Sequence, residues 1–131
     1  MWLNASINAA AVVGTALLLA VPLVSESRQD PATASAPKVF EVTARKFEFE
    51  PSRIEVTQGD RVRLVVRSED GVHGVSIKKF KVNKPVPRGG DPITIEFLAT
   101  TAGTFEIICS EICGDGHDEM RGTLVVKAKP K

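Results

Sequence analysis

The chain is poor in thiol, imidazole and thioether side chains: its 131 residues hold two cysteines, two histidines and two methionines, one of them the initiator. Tyrosine is absent, and the single tryptophan is Trp2. A charge surplus is also missing, since 17 Lys and Arg stand against 16 Asp and Glu. That balance excludes general nucleic-acid binding, which needs a large basic excess. Two cysteines allow one disulfide at most, so the redox compartment does not by itself assign them a role. Helical periodicity is lacking from Lys38 to Ala128, which argues against a helical domain.

The scarce residues are concentrated. Cys109, Cys113, His117 and Met120 lie on one run, CSEICGDGHDEM, at spacings of four, four and three. His73 is the other histidine, in GVHGVS well upstream. Two thiols, an imidazole and a thioether form a soft-donor set, and soft donors select copper over harder divalent ions. A bare Cys pair at this spacing could instead form a disulfide, or bind zinc with two further ligands. Structural zinc sites favour Cys and His and seldom use a thioether, so Met120 weighs toward copper. His73 alone reads as a buried, hydrogen-bonded core histidine. Beside a Cys-Cys-His-Met loop it reads as a ligand supplied by a distant strand. Gly71 and Gly74 flank it and fit a close approach of backbone to another loop, while Gly114, Gly116 and Gly122 let the Cys loop fold tightly.

The N-terminal part differs in character. Residues 7–24 carry no charge and would span roughly 27 Å as a helix, against a bilayer core of ~30 Å. Residues 1–27 are read as a signal peptide or a single membrane anchor, with the anchor preferred because MWLNAS lacks a basic n-region. Either way the remainder is expected outside the cytoplasm, on the periplasmic side. A small, polar, proline-containing stretch begins at Ser25, and residues 28–37 are assigned as a flexible linker. The folded domain is expected over 38–128, and residues 129–131 form a tail.

Within 38–128 the pattern is strand after strand. Strands are expected at Val39–Thr43, around Phe47 and Phe49, at Arg53–Thr57, Arg61–Arg67, Val72–Ile77, Ile93–Phe97, Thr104–Ile108 and Thr123–Lys127. Arg61–Arg67 is a clear case: Val62, Leu64 and Val66 alternate with arginines at 61, 63 and 67. Short strands separated by Gly, Pro and Asp turns predict an all-β Greek-key sandwich, preceded by one hydrophobic helix. Lys78–Pro92 is expected as a long loop, either solvated or offering a basic docking face to a partner or to lipid head groups.

The runs FEIICSEICGDGHDEMRGTLVV and GVHGVSI closely resemble the copper-binding domain of cytochrome c oxidase subunit II, over roughly residues 38–127. The resemblance implies a cupredoxin fold carrying a binuclear CuA centre, with two coppers per domain. Cys109 and Cys113 would bridge both metals. His73 and Met120 would complete one copper; His117 and the Glu111 carbonyl would complete the other. The Glu111 side chain could in addition hold magnesium. The implied partners are a cytochrome c or small cupredoxin as electron donor, subunit I of a haem-copper oxidase as acceptor, and the membrane through the N-terminal helix. The chain performs no catalysis alone. It departs from two-helix subunit II in having at most one helix, and its only Trp lies in the leader, which leaves Phe47, Phe49 and Phe80 as candidate electron-passing aromatics. A single helix and a compact domain look more like subunit II of B-type oxidases. They also suit a free-standing exported copper-binding or copper-delivery protein.

Overall fold

The computed structural model describes residues 35–131, together with Gly14. The leader and most of the linker therefore lie outside the described residues. Among the described residues no helix is long and apolar enough to cross a membrane.

Among the described residues, nine strands form two sheets. The first has the order β2-β1-β4-β7, from β1 (Lys38–Arg45), β2 (Glu48–Glu50), β4 (Arg61–Ser68) and β7 (Ile93–Leu98). The second has the order β3-β9-β8-β5-β6, from β3 (Arg53–Thr57), β5 (His73–Ile77), β6 (Val82–Val86), β8 (Gly103–Ile108) and β9 (Arg121–Lys127). β1 pairs with β4 in parallel, and β3 with β9 likewise, so the chain crosses between sheets as a Greek key requires. The expected sandwich is what forms.

Alternation drives the packing. On β4, Val62, Leu64 and Val66 are buried between the sheets while Arg61 and Arg67 face solvent. Each such side chain contributes on the order of 1.5–3 kcal/mol when fully buried. Ile54, Ile77 and Leu124 meet them from the second sheet and are equally buried. β5 breaks the alternation, because all five of its residues are buried. Its second face is covered by the chain after β8, as the surroundings of Gly74 show below.

Lys78–Pro92 is not the long loop expected. A 3-10 turn at Lys78–Phe80 closes on Lys81, in the left-handed region at φ 56°, and β6 then pairs along the whole of β5. Two buried valines, Val82 and Val86, outweigh Pro85 and the exposed polar residues between them. β6 is an edge strand, where proline and lysine are tolerated and discourage pairing with another chain. Phe80 fastens the turn: its ring stacks on Phe97 of β7 and meets Phe105 of β8 edge-on, each at 5.2 Å between centroids. One side chain thus ties the two sheets together.

Candidate metal centre

Strand register brings the donors to one end of the second sheet. Ser76 of β5 pairs with Ile108 of β8, and Ile108 pairs with Arg121 of β9. The start of β5, the end of β8 and the start of β9 are therefore neighbours. His73 opens β5, Cys109 follows β8, and Met120 precedes β9. A backbone hydrogen bond from Cys109 N–H to the Met120 carbonyl, 3.2 Å, closes the loop at its base. Inside it a 3-10 turn at His117–Glu119 turns His117 back toward Cys113.

The donor atoms converge. Cys109 Sγ lies 3.8 Å from Cys113 Sγ and 4.0 Å from His73 Nδ1. Cys113 Sγ lies 3.8 Å from His117 Nδ1 and 3.9 Å from Met120 Sδ. The Cys109 thiol donates to the Glu111 carbonyl at 3.2 Å. His73, Cys109 and Cys113 place their donor atoms within 4.8 Å of one another. All five predicted side-chain donors and the predicted carbonyl are brought together. The Glu111 carboxylate is not part of the converging group; its Cγ packs toward Gly74.

These residues fit a soft metal. Donors about 3.8 Å apart match ligands ~2.3 Å from a shared centre in tetrahedral arrangement, the length of a metal–thiolate bond. The sulfurs are free thiols, not a disulfide, whose bond is about 2.05 Å. Burial, with the adjoining Cys109 adding to it, pushes the Cys113 thiol up to about 11. A metal entering here must displace protons from the sulfurs. Burial is also graded across the site. His73, Cys109 and Met120 are buried, whereas Cys113 and His117 are partly exposed.

Three further residues support the site, and of these the sequence had offered only Phe47, as one of three candidate aromatics. Asp70 Oδ1 accepts a hydrogen bond from His73 Nε2 at 2.8 Å, which fixes the tautomer and turns a bare Nδ1 toward Cys109. Metal-binding histidines commonly hold a carboxylate on the far nitrogen, so an Asp three residues upstream was a usable signal. Burial works against the Asp70 charge, but the Lys46 N–H and His73 outweigh it and hold the carboxyl below its usual range. The second support is Phe47, whose ring lies over the Cys loop; a Cβ on Gly116 would come within 2.6 Å of its Cγ, and one on Gly114 within 3.1 Å of its edge. The third is Ser110, which packs with the Glu111 backbone directly against Gly74, as the glycine pattern around His73 had suggested.

The family model for the cupredoxin-like domain matches residues 14–126. The chain belongs to the cupredoxin-like family. It is 36% identical over 86 residues to cytochrome c oxidase subunit 2 of Thermus thermophilus, a match covering 66% of this chain and 63% of that one. The cupredoxin-like chain thus spans less than two thirds of this relative. Among solved structures, a heme-copper terminal oxidase dimer contains a chain superposing with a TM-score of 0.62 at 28% identity, covering 70% of this chain and 66% of that one. The periplasmic domain of subunit II of cytochrome oxidase from Bradyrhizobium japonicum superposes at 0.63 and 18% identity, covering 72% and 89%, and attests the shared fold.

Proposed function

We propose that this cupredoxin-like domain is the electron-accepting part of a terminal oxidase, holding a binuclear copper centre. Cys109 and Cys113 would bridge the metals, with His73, Met120, His117 and the Glu111 carbonyl completing them. The observation that carries the reading is the pair of thiols side by side, each facing its own imidazole, 4.0 Å and 3.8 Å away. A mononuclear site has no use for a second sulfur in that position. Similarity to oxidase subunit 2 supports the same reading.

Bound copper supplies a one-electron carrier. The chain's own contribution is stiffness and access. His73, Cys109 and Met120 hang from the ends of β5, β8 and β9, with β8 paired to both of the others, and Cys113 and His117 sit on the short loop closed between β8 and β9, so the ligands would move little when charge changes. Second-sphere contacts then set the potential. Phe47 is the one of the three candidate aromatics that packs on the metal loop, and it is 37% exposed, so it can meet a partner. Phe49 is buried in the core and Phe80 closes the sandwich near β7. The proposed donor is a cytochrome c or small cupredoxin, and the proposed acceptor is subunit I of a haem-copper oxidase. Magnesium at the Glu111 carboxylate remains part of the proposal only for the assembled oxidase, where a partner could add ligands.

Electron paramagnetic resonance of the copper-loaded chain tests the reading. A seven-line mixed-valence pattern with two coppers per chain is expected. A four-line pattern with one copper would assign the domain to mononuclear copper binding or delivery instead.

Attachment to the outer face of a membrane is part of the same proposal, motivated by the charge-free residues 7–24. Mass spectrometry of the native protein is expected to find residues 1–27 retained. A mature N-terminus after Val24 would make it a soluble exported protein.

A further inference from the structure

Asp70 spends its two carboxylate oxygens on two different elements. Oδ1 accepts from His73 Nε2 at 2.8 Å, and Oδ2 accepts from the Lys46 backbone N–H, also at 2.8 Å. Lys46 and Phe47 form the turn between β1 and β2, and the Phe47 ring rests on Gly114 and Gly116 of the metal loop. A single carboxylate therefore joins the imbedded imidazole of the site to the exposed aromatic that covers it.

The loop carrying Asp70 does not need that carboxylate to hold its own shape. Ser68 Oγ donates to the Gly71 carbonyl and accepts from the Gly71 N–H at 3.3 Å, which closes the turn. The Glu69 N–H donates to the Ala44 carbonyl at 3.0 Å, which fastens the loop to β1. The Asp70 side chain is 37% exposed and could be hydrated freely. Instead it is directed across to both neighbours. Hydrogen bonds to a charged acceptor are the stronger kind, and two of them on one rigid group fix the distance between the groups they hold.

We propose that Asp70 is a positioning residue for electron uptake, acting as a clamp that keeps the Phe47 turn and the His73 ring in one mutual arrangement. The proposal rests on the electron-accepting reading of the site. Its geometric part can be tested without metal. An asparagine at 70 has one acceptor oxygen and can satisfy only one of the two N–H donors, while the other faces an NH2 group. An alanine satisfies neither.

In the metal-free full chain, Asp70→Ala is expected to speed hydrogen exchange of the Lys46 amide about tenfold, the effect of losing roughly 1.4 kcal/mol of hydrogen bonding. It is also expected to shift the 15N resonances of the His73 ring toward a mixture of tautomers. Asp70→Asn should move one of these two signals and spare the other. In the copper-loaded full chain, the rate of oxidation of a reduced soluble cytochrome c should fall in Asp70→Ala and in Phe47→Ala. The double variant should be no slower than Phe47→Ala alone, because the two act through one path. Unchanged Lys46 exchange and His73 resonances in Asp70→Ala would overturn the clamp. Additive losses in the double variant would overturn its action through Phe47. Failure of the wild-type chain to oxidise any cytochrome would instead overturn the electron-accepting reading, and the metal-free signals would still decide whether the clamp exists.

Discussion

Replacing Cys113 by serine is expected to leave the domain folded and the proposed two-copper centre lost. Cys113 sits at the middle of the donor set: its sulfur faces Cys109 at 3.8 Å, His117 at 3.8 Å and Met120 at 3.9 Å. It is only partly buried, so the smaller hydroxyl costs little in packing. The chemistry changes far more. A hydroxyl is a hard, weakly acidic donor and a poor bridge for copper. With the bridge gone, metal analysis should fall from two coppers per chain to one or none, and the seven-line spectrum should collapse. Cys109→Ser should do the same and cost stability as well, because Cys109 is 5% exposed and its thiol bonds the Glu111 carbonyl. A serine variant at either position that keeps two coppers and the full mixed-valence spectrum would falsify the bridging assignment.

Most of the fold, and the set of candidate donors, was legible in the sequence because two independent patterns were strong. Alternation on β4 and β7 fixed which faces meet in the core. Scarcity of Cys, His and Met on the chain left few candidates for the site, and the structure brings those candidates together. The parts that were not legible depend on long-range contacts. β6 was hidden because Asn83, Lys84 and Pro85 separate its two valines, and only its pairing with β5 makes it a strand. Asp70 was hidden because a lone Asp in a turn ordinarily caps that turn, a task Ser68 performs here. Phe47 stood among three candidate phenylalanines, and its place over Gly114 and Gly116 follows from how the β1–β2 turn packs on glycines 67 and 69 residues later, a separation no local pattern encodes. Gly74 was the exception: its role was readable because a missing Cβ in a buried strand needs a close neighbour to explain it, and Ser110 and Glu111 are that neighbour, whereas a Cβ on Gly71 would meet only Lys46 Cε at 3.9 Å.

Gly74→Ala is the second large effect expected, and it tests how tightly the metal loop is pressed onto β5. A Cβ at this position would overlap Ser110 Oγ and lie 3.1 Å from both the backbone nitrogen and Cγ of Glu111. The serine hydroxyl is buried without a hydrogen-bond partner and can rotate away at little cost. The Glu111 backbone cannot yield so easily. Its carbonyl receives the Cys109 thiol, and the loop around it is closed by the Cys109–Met120 backbone bond. An extra methyl in a packed site costs about 1–3 kcal/mol when the surroundings must shift. For a domain of this size that is a fall in melting temperature of roughly 5–20 °C. Because the shift falls on Glu111, copper binding should weaken as well. Gly90→Ala is the control: its Cβ would meet Pro87 at an ordinary 3.6 Å, in the basic connection after β6. A surface change of that kind is expected to stay within about 0.5 kcal/mol. Thermal unfolding of the metal-free chains compares the two directly. If Gly74→Ala melts as Gly90→Ala does and binds copper as tightly as wild type, the loop is held less closely than its contacts with β5 indicate, and the rigidity argued for the ligand set is lost with it.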